Sequence, residues 1–170
     1  MIFGKFWRKE NYQLSNSIFE IDFVPSEKSK IIACKFLATQ SYFQRQILGE
    51  KLLKNLSNEA KIPHVRLKIS DTKQWSKKRN GKTVFKLYGY YRPKSSYIYI
   101  QNLTSVFGKT IAPKTFLNTL IHEWLHHYDT QKLKLYSIHT KGFYARLASL
   151  KNLLGLKTVT RSNVFFKRFL

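Results

Sequence analysis

From Thr39 to Ala60, apolar side chains recur at Phe43, Ile47, Leu48, Leu52, Leu53 and Leu56, the three-and-four spacing of a helix with one buried stripe. This predicts an amphipathic helix covering one side of a sheet. The period then falls to two: Val65, Leu67 and Ile69 alternate with His64, Arg66, Lys68 and Ser70, which predicts a half-buried strand. Asn80-Gly81 supplies a turn, and Thr83 to Tyr91 and Tyr97 to Gln101 read as two further strands joined across Arg92-Pro93-Lys94-Ser95. The simplest pairing of the three is an antiparallel meander. Pro113 opens a helix running through Asp129, with Phe116, Leu117, Leu120, Ile121, Trp124, Leu125 and Tyr128 at its apolar positions. A last helix is predicted from about His139 to Leu154, with Gly155 as its stop. Residues 1–36 carry a weaker pattern, in which Ile18 to Val24 read as a strand ending at Pro25 and Lys30 to Phe36 as a second short element.

These elements make an α+β chain without internal repeats or a Pro/Gly/Ser linker, so residues 1–170 read as one domain with a core over about 37–155 and a basic, aromatic tail over 156–170. At 43% hydrophobic residues the chain is too apolar to be disordered, and 170 residues bury a core without staples. Charge changes the picture more. Thirty-one Lys plus Arg stand against nine Asp plus Glu, a net +22, and a field of that sign favours polyanions, nucleic acid first. Cys34 is the single cysteine, which excludes an internal disulfide and a cysteine-based zinc ribbon and fits a reducing compartment. No apolar run approaches the roughly 20 residues of a membrane span, and the first residues lack a signal-peptide pattern. The expectation is a cytoplasmic monomer with no membrane partner, nucleoid-associated if it binds DNA.

The chemistry lies in Thr119-Leu-Ile-His122-Glu123-Trp-Leu-His126-His-Tyr-Asp129. His-Glu-x-x-His on a helix sets two imidazoles about 40° apart around the axis and about 6 Å apart along it, so both can converge on one cation. Zinc suits neutral imidazole ligands with a position left open for water, and Glu123, beside the first ligand, is placed to take a proton from that water. The chemistry expected is peptide-bond hydrolysis. A third ligand remains to be found among His127, Asp129 and His139. His127 points about 100° away from His126 and suits a surface or supporting role. Asp129 suits a hydrogen bond that holds an imidazole tautomer. His139, thirteen residues beyond His126 at the start of the next helix, is the choice for third ligand.

The run Leu-Ile-His122-Glu123-Trp-Leu-His126-His, followed by His139-Thr-Lys-Gly-Phe143, resembles the SprT-like metallopeptidases, the group that includes the Spartan proteases of DNA–protein crosslinks. Leu87-Tyr-Gly-Tyr-Tyr-Arg-Pro and Tyr97-Ile-Tyr-Ile-Gln-Asn are similar to that family's glycine-containing strand and the strand after it, so the likeness spans about Ile62 to Leu154. Thr140 stands where the family has glycine. The resemblance implies a zincin-like, minimal metallopeptidase domain with a small antiparallel sheet, the His-Glu-x-x-His helix and a third-ligand helix. It also implies one zinc ion held by His122, His126 and His139, Glu123 as catalytic base, and a protein substrate lying extended along the sheet edge.

Lys73-Gln-Trp75-Ser-Lys77-Lys78-Arg79-Asn-Gly-Lys82 places an indole among cations, which makes Trp75, Lys77, Lys78, Arg79 and Lys82 candidates for contact with single-stranded or damaged DNA. The tail Arg161 to Leu170 repeats the mixture, with packing on the domain as the simpler role. The function expected is zinc-dependent endoproteolysis of DNA-associated or DNA-crosslinked proteins. The alternatives are a metallopeptidase with a dedicated protein substrate independent of DNA, and a non-catalytic DNA-binding module with a zinc site.

Overall fold

A computed structural model of the chain describes residues 3–39 and 41–156. In chain order these form α1 (Phe3–Ser17), α2 (Glu27–Leu37), α3 (Tyr42–Glu59), β1 (Arg66–Lys73), β2 (Ser76–Arg79), β3 (Lys82–Lys86), β4 (Gly89–Arg92), a 3-10 turn (Pro93–Ser95), β5 (Tyr97–Leu103), α4 (Pro113–Gln131) and α5 (Lys141–Leu153). The fold is mixed α+β, with five helices, a three-stranded sheet and a separate two-stranded hairpin among the described residues. No helix there is long and apolar enough to cross a membrane. The tail from Arg161 to Leu170 lies outside the described residues.

The sheet corrects the expected antiparallel meander. Its order is β1-β5-β4, with β5 parallel to β1 and antiparallel to β4. The predicted strand Thr83–Tyr91 divides: β3 ends at Lys86 in the hairpin, and β4 begins at Gly89 in the sheet. The 3-10 turn then reverses the chain, and β5 enters between β1 and β4. Alternating burial of Ile98, Ile100 and Asn102 gives β5 an inner face suited to the central position. The Asn80-Gly81 turn does form, with φ of 50° and 72° and Arg79 opposite Lys82, the two positive φ values of a tight hairpin turn.

Residues 1–36 also differ from expectation. Ile18 to Val24 form no strand but an irregular link between α1 and α2. Their alternation is still physical: Ile21 is buried and Phe23 packs edge-on against Trp124, while Asp22 between them bonds the Tyr128 hydroxyl. The chain bends at Glu20, Asp22 and Phe23, so it is not straight enough to pair as a strand. Lys30 to Phe36 belong to α2, whose N-cap Ser26 accepts from the Ser29 backbone amide.

One apolar cluster unites the layers. Leu52, Leu53 and Leu56 of α3 and Leu120, Ile121, Trp124 and Leu125 of α4 lie with Ile69, Ile98 and Ile100 of the sheet. Phe43, in the first turn of α3, is exposed, so the buried stripe starts later than its sequence pattern suggests. The close approach of α4 to β4 depends on Gly89. A Cβ there would lie 2.8 Å from the Tyr99 carbonyl oxygen and 3.3 Å from the Thr119 methyl. Gly89→Ala is expected to lower stability by about 1–3 kcal/mol through overpacking, read as a shift in the urea midpoint at constant slope.

Candidate metal centre

α4 carries His122 and His126 one turn apart, and both rings rest on Phe143 of α5, at centroid distances of 5.1 Å and 4.6 Å. His139 is not in a helix as expected. It lies in the connector between α4 and α5, two residues ahead of Lys141, the first residue of α5. Thr140 is the N-cap of α5: its hydroxyl accepts from the Phe143 amide at 3.0 Å. The cap and the packing of Phe143 together set where the connector ends.

These elements bring the Nε2 atoms of His122, His126 and His139 into a triangle with edges of 2.8, 3.2 and 3.1 Å. Three histidines are thus close enough to hold a metal ion. His122, His126 and His139 would hold such an ion through their Nε2 atoms, and a zinc ion there would supply Lewis acidity. Burial, then the neighbouring His139 and Lys151, pushes His122 down to about 3, and burial, then the other two histidines, pushes His126 down to about 2. Burial also lowers His139. His122 and His126 are therefore neutral at pH 7, the protonation state in which imidazole offers a lone pair to a metal.

The tautomer of His126 follows from its other nitrogen. The Ser137 hydroxyl donates to Asp129 Oδ2 at 3.2 Å, so the 2.8 Å contact between Ser137 Oγ and His126 Nδ1 has the imidazole as donor. Nε2 is left unprotonated and aimed at the triangle. Asp129, predicted to hold a tautomer directly, does so through Ser137. Its carboxylate also receives Arg146 Nε at 3.0 Å and Arg146 Nη2 at 2.7 Å, and both side chains are fully buried.

Glu123 is 8% exposed, and burial pushes its carboxyl up to about 8, with the Tyr91 backbone amide drawing it partly back. A group near neutrality is suited to taking and returning a proton. His127, expected in a surface or supporting role, is fully buried. Its Nε2 donates to the Pro63 carbonyl at 2.8 Å and its Nδ1 accepts from the Tyr91 hydroxyl at 2.9 Å, so it braces α4 against the sheet rather than joining the three-histidine cluster. Tyr128 donates to Asp22, and Tyr136 is largely exposed.

α1 clasps the connector that carries Ser137 and His139. Asn11 donates to the Tyr136 carbonyl and accepts from the Tyr136 amide, each at 2.8 Å, and the Ser15 and Thr140 hydroxyls meet at 2.8 Å. Arg146 Nη1 reaches the carbonyls of Ser15 and Ile18. A Cβ at Gly142 would collide with the Ser15 carbonyl oxygen, so α5 begins where only glycine fits. Trp75 is 54% exposed and meets Phe85 edge-on, with Lys77 and Arg79 exposed on the same hairpin. The side chains of Lys78 and Lys82 lie outside those described.

Sequence reasoning missed Ser137, Arg146, Asn11 and Tyr91. Only Arg146 left a signal: a cation within the stripe Phe143, Leu147, Leu150, matched by Asp129 within the stripe of α4. No family model, curated protein or solved structure matches the chain.

Arg146→Met leaves Asp129 buried without a partner and is expected to cost about 3–5 kcal/mol in chemical denaturation, whereas pairing it with Asp129→Asn recovers part of that loss. Ser137→Ala is expected to weaken divalent-metal binding about 10- to 100-fold in competition with a chromophoric chelator, with the fold retained.

Proposed function

We propose that this chain is a zinc-dependent endopeptidase, zincin-like and of the SprT-like kind, acting on proteins associated with or crosslinked to DNA. The observation that carries the reading is the convergence of three imidazole Nε2 atoms beside Glu123, which the same helix presents one residue from His122. Three neutral nitrogen donors form a donor set that suits zinc over harder cations, which prefer oxygen ligands. A purely structural site would close its fourth position with protein and has no use for a buried carboxyl next to a ligand.

Zinc, when held by His122, His126 and His139, supplies Lewis acidity for a water and for the scissile carbonyl. Glu123 takes a proton from the attacking water and returns it to the leaving nitrogen, so one water is consumed and an acid and an amine are released. Ser137 keeps His126 in the ligating tautomer. β4 is the sheet edge next to α4, and an extended substrate chain pairing there would be held mainly by its backbone, with little sequence preference. The net charge of +22 supports nucleic acid as the setting in which substrates are met.

The test is cleavage of a basic DNA-binding protein by the zinc-loaded chain, with and without single-stranded DNA. Glu123→Gln is expected to keep its zinc and lose about 10²- to 10⁴-fold in rate, while His139→Ala loses metal as well. Cleavage indifferent to DNA would favour a dedicated protein substrate. Bound zinc without any cleavage, and without an effect of Glu123→Gln, would favour a non-catalytic module.

A further inference from the structure

The three-stranded sheet has one face covered by α3 and α4. On its other face, strand register and alternation line up two cross-strand rows. Arg66 of β1, Tyr97 of β5 and Arg92 of β4 form the first, and Lys68, Tyr99 and Tyr90 form the second. The tyrosines are half-buried and the cations exposed, and no helix packs on these positions among the described residues. Tyr90 and Tyr99 stack at 5.3 Å with planes 23° apart, the Arg92 guanidinium lies 4.9 Å over the Tyr90 ring, and Arg66 lies 5.7 Å from the Tyr97 ring. One step further along β5, Gln101 accepts from the Trp75 amide at 2.9 Å and donates to the Lys73 carbonyl at 2.6 Å. That bond joins the tyrosine rows to the hairpin that carries Trp75, Lys77 and Arg79.

We propose that this face, from Arg66, Tyr97 and Arg92 through Tyr99 and Gln101 to Trp75, is a binding track for single-stranded nucleic acid. The inference deepens the functional reading above and rests on its choice of nucleic acid as partner. Two kinds of group are present in the arrangement such a ligand needs. Flat, rigid rings on an open sheet offer stacking platforms for unpaired bases, and interleaved guanidinium and ammonium groups offer contacts to phosphate. Tyr97 and Tyr99 are two residues apart on one strand, about 6.6–6.8 Å, which lets successive bases each take a ring. Neither row contains a carboxylate, and the surrounding charge is strongly positive, so an anionic strand is favoured along the whole track. A duplex keeps its bases stacked on each other and has no use for the rings. The edge strand β4 presents Tyr90 and Arg92 to this face and the Tyr91 hydroxyl to His127 on the other, so the track lies across the sheet from α4.

The experiment is fluorescence anisotropy of the full chain with a labelled oligo-dT and with a duplex of equal length. Tyr99→Leu is expected to weaken oligo-dT binding about tenfold and to leave duplex binding within about twofold. The pair Arg66→Glu with Lys68→Glu is expected to weaken it far more than Lys28→Glu with Lys51→Glu, which makes the same charge change on the helical side. Photo-crosslinking with a bromodeoxyuridine oligonucleotide keeps the idea testable should a tyrosine variant fail to fold: crosslinks at Tyr90, Tyr97 or Tyr99 are expected. Equal losses for the two charge-reversal pairs, or crosslinks confined to other surfaces, would overturn the track. Binding as expected in a chain without peptidase activity upholds the track and rejects the proteolytic reading. Peptidase activity with oligo-dT binding unchanged by the face variants does the reverse.

Discussion

Arg146 and Asp129 meet in a bidentate contact with neither side chain exposed to solvent. Each charge would be several kcal/mol out of place without the other, and the pair as a whole contributes geometry more than net stability. What it organises is extensive. Asp129 belongs to α4 and Arg146 to α5, Nη1 reaches the carbonyls of Ser15 and Ile18 at the end of α1 while Nη2 also reaches the Ser15 hydroxyl, and Asp129 takes the Ser137 hydroxyl from the connector. Three helices and the loop that carries His139 are therefore tied to one buried charge pair.

The three-histidine cluster is pre-organised as a result. His126 is oriented by Ser137, which Asp129 orients in turn, and the His122 and His126 rings share Phe143 as a floor. His139 lies in irregular chain, which on its own holds a ligand poorly. The double hydrogen bond from Asn11 to Tyr136 and the Thr140 cap fix that chain on both sides of it. The sheet does two jobs at once. Its inner face and β4 edge support α4 through Gly89, His127 and Tyr91, and its outer face is left to tyrosines and cations.

Much of the helical framework is legible in the chain. The apolar spacing of α3 and α4, the proline at the start of α4 and the glycine after α5 report local preferences that the packed structure keeps. Strand pairing is not local. Nothing in Tyr97 to Leu103 says that β5 will insert beside β1 in parallel, because that depends on where the 93–95 turn sends the chain and on which strand offers two edges. The polar residues that support the site are equally silent. Ser137 and Asn11 are ordinary loop and surface residue types, and their partners are 8 and 125 residues away.

By itself the sequence determined that His122 and His126 share one face of a helix with Glu123 between them, because helical geometry converts a spacing of four into one direction in space. It also determined a strongly cationic surface, because charge is a sum over residues that no fold can change. Tertiary structure alone decided that His139 completes the triangle, that His127 is turned inward to the sheet, and that tyrosines from two strands stand side by side on an open face. Each of these relates residues far apart in the chain, and only packing around the buried core and the Arg146–Asp129 pair sets those distances.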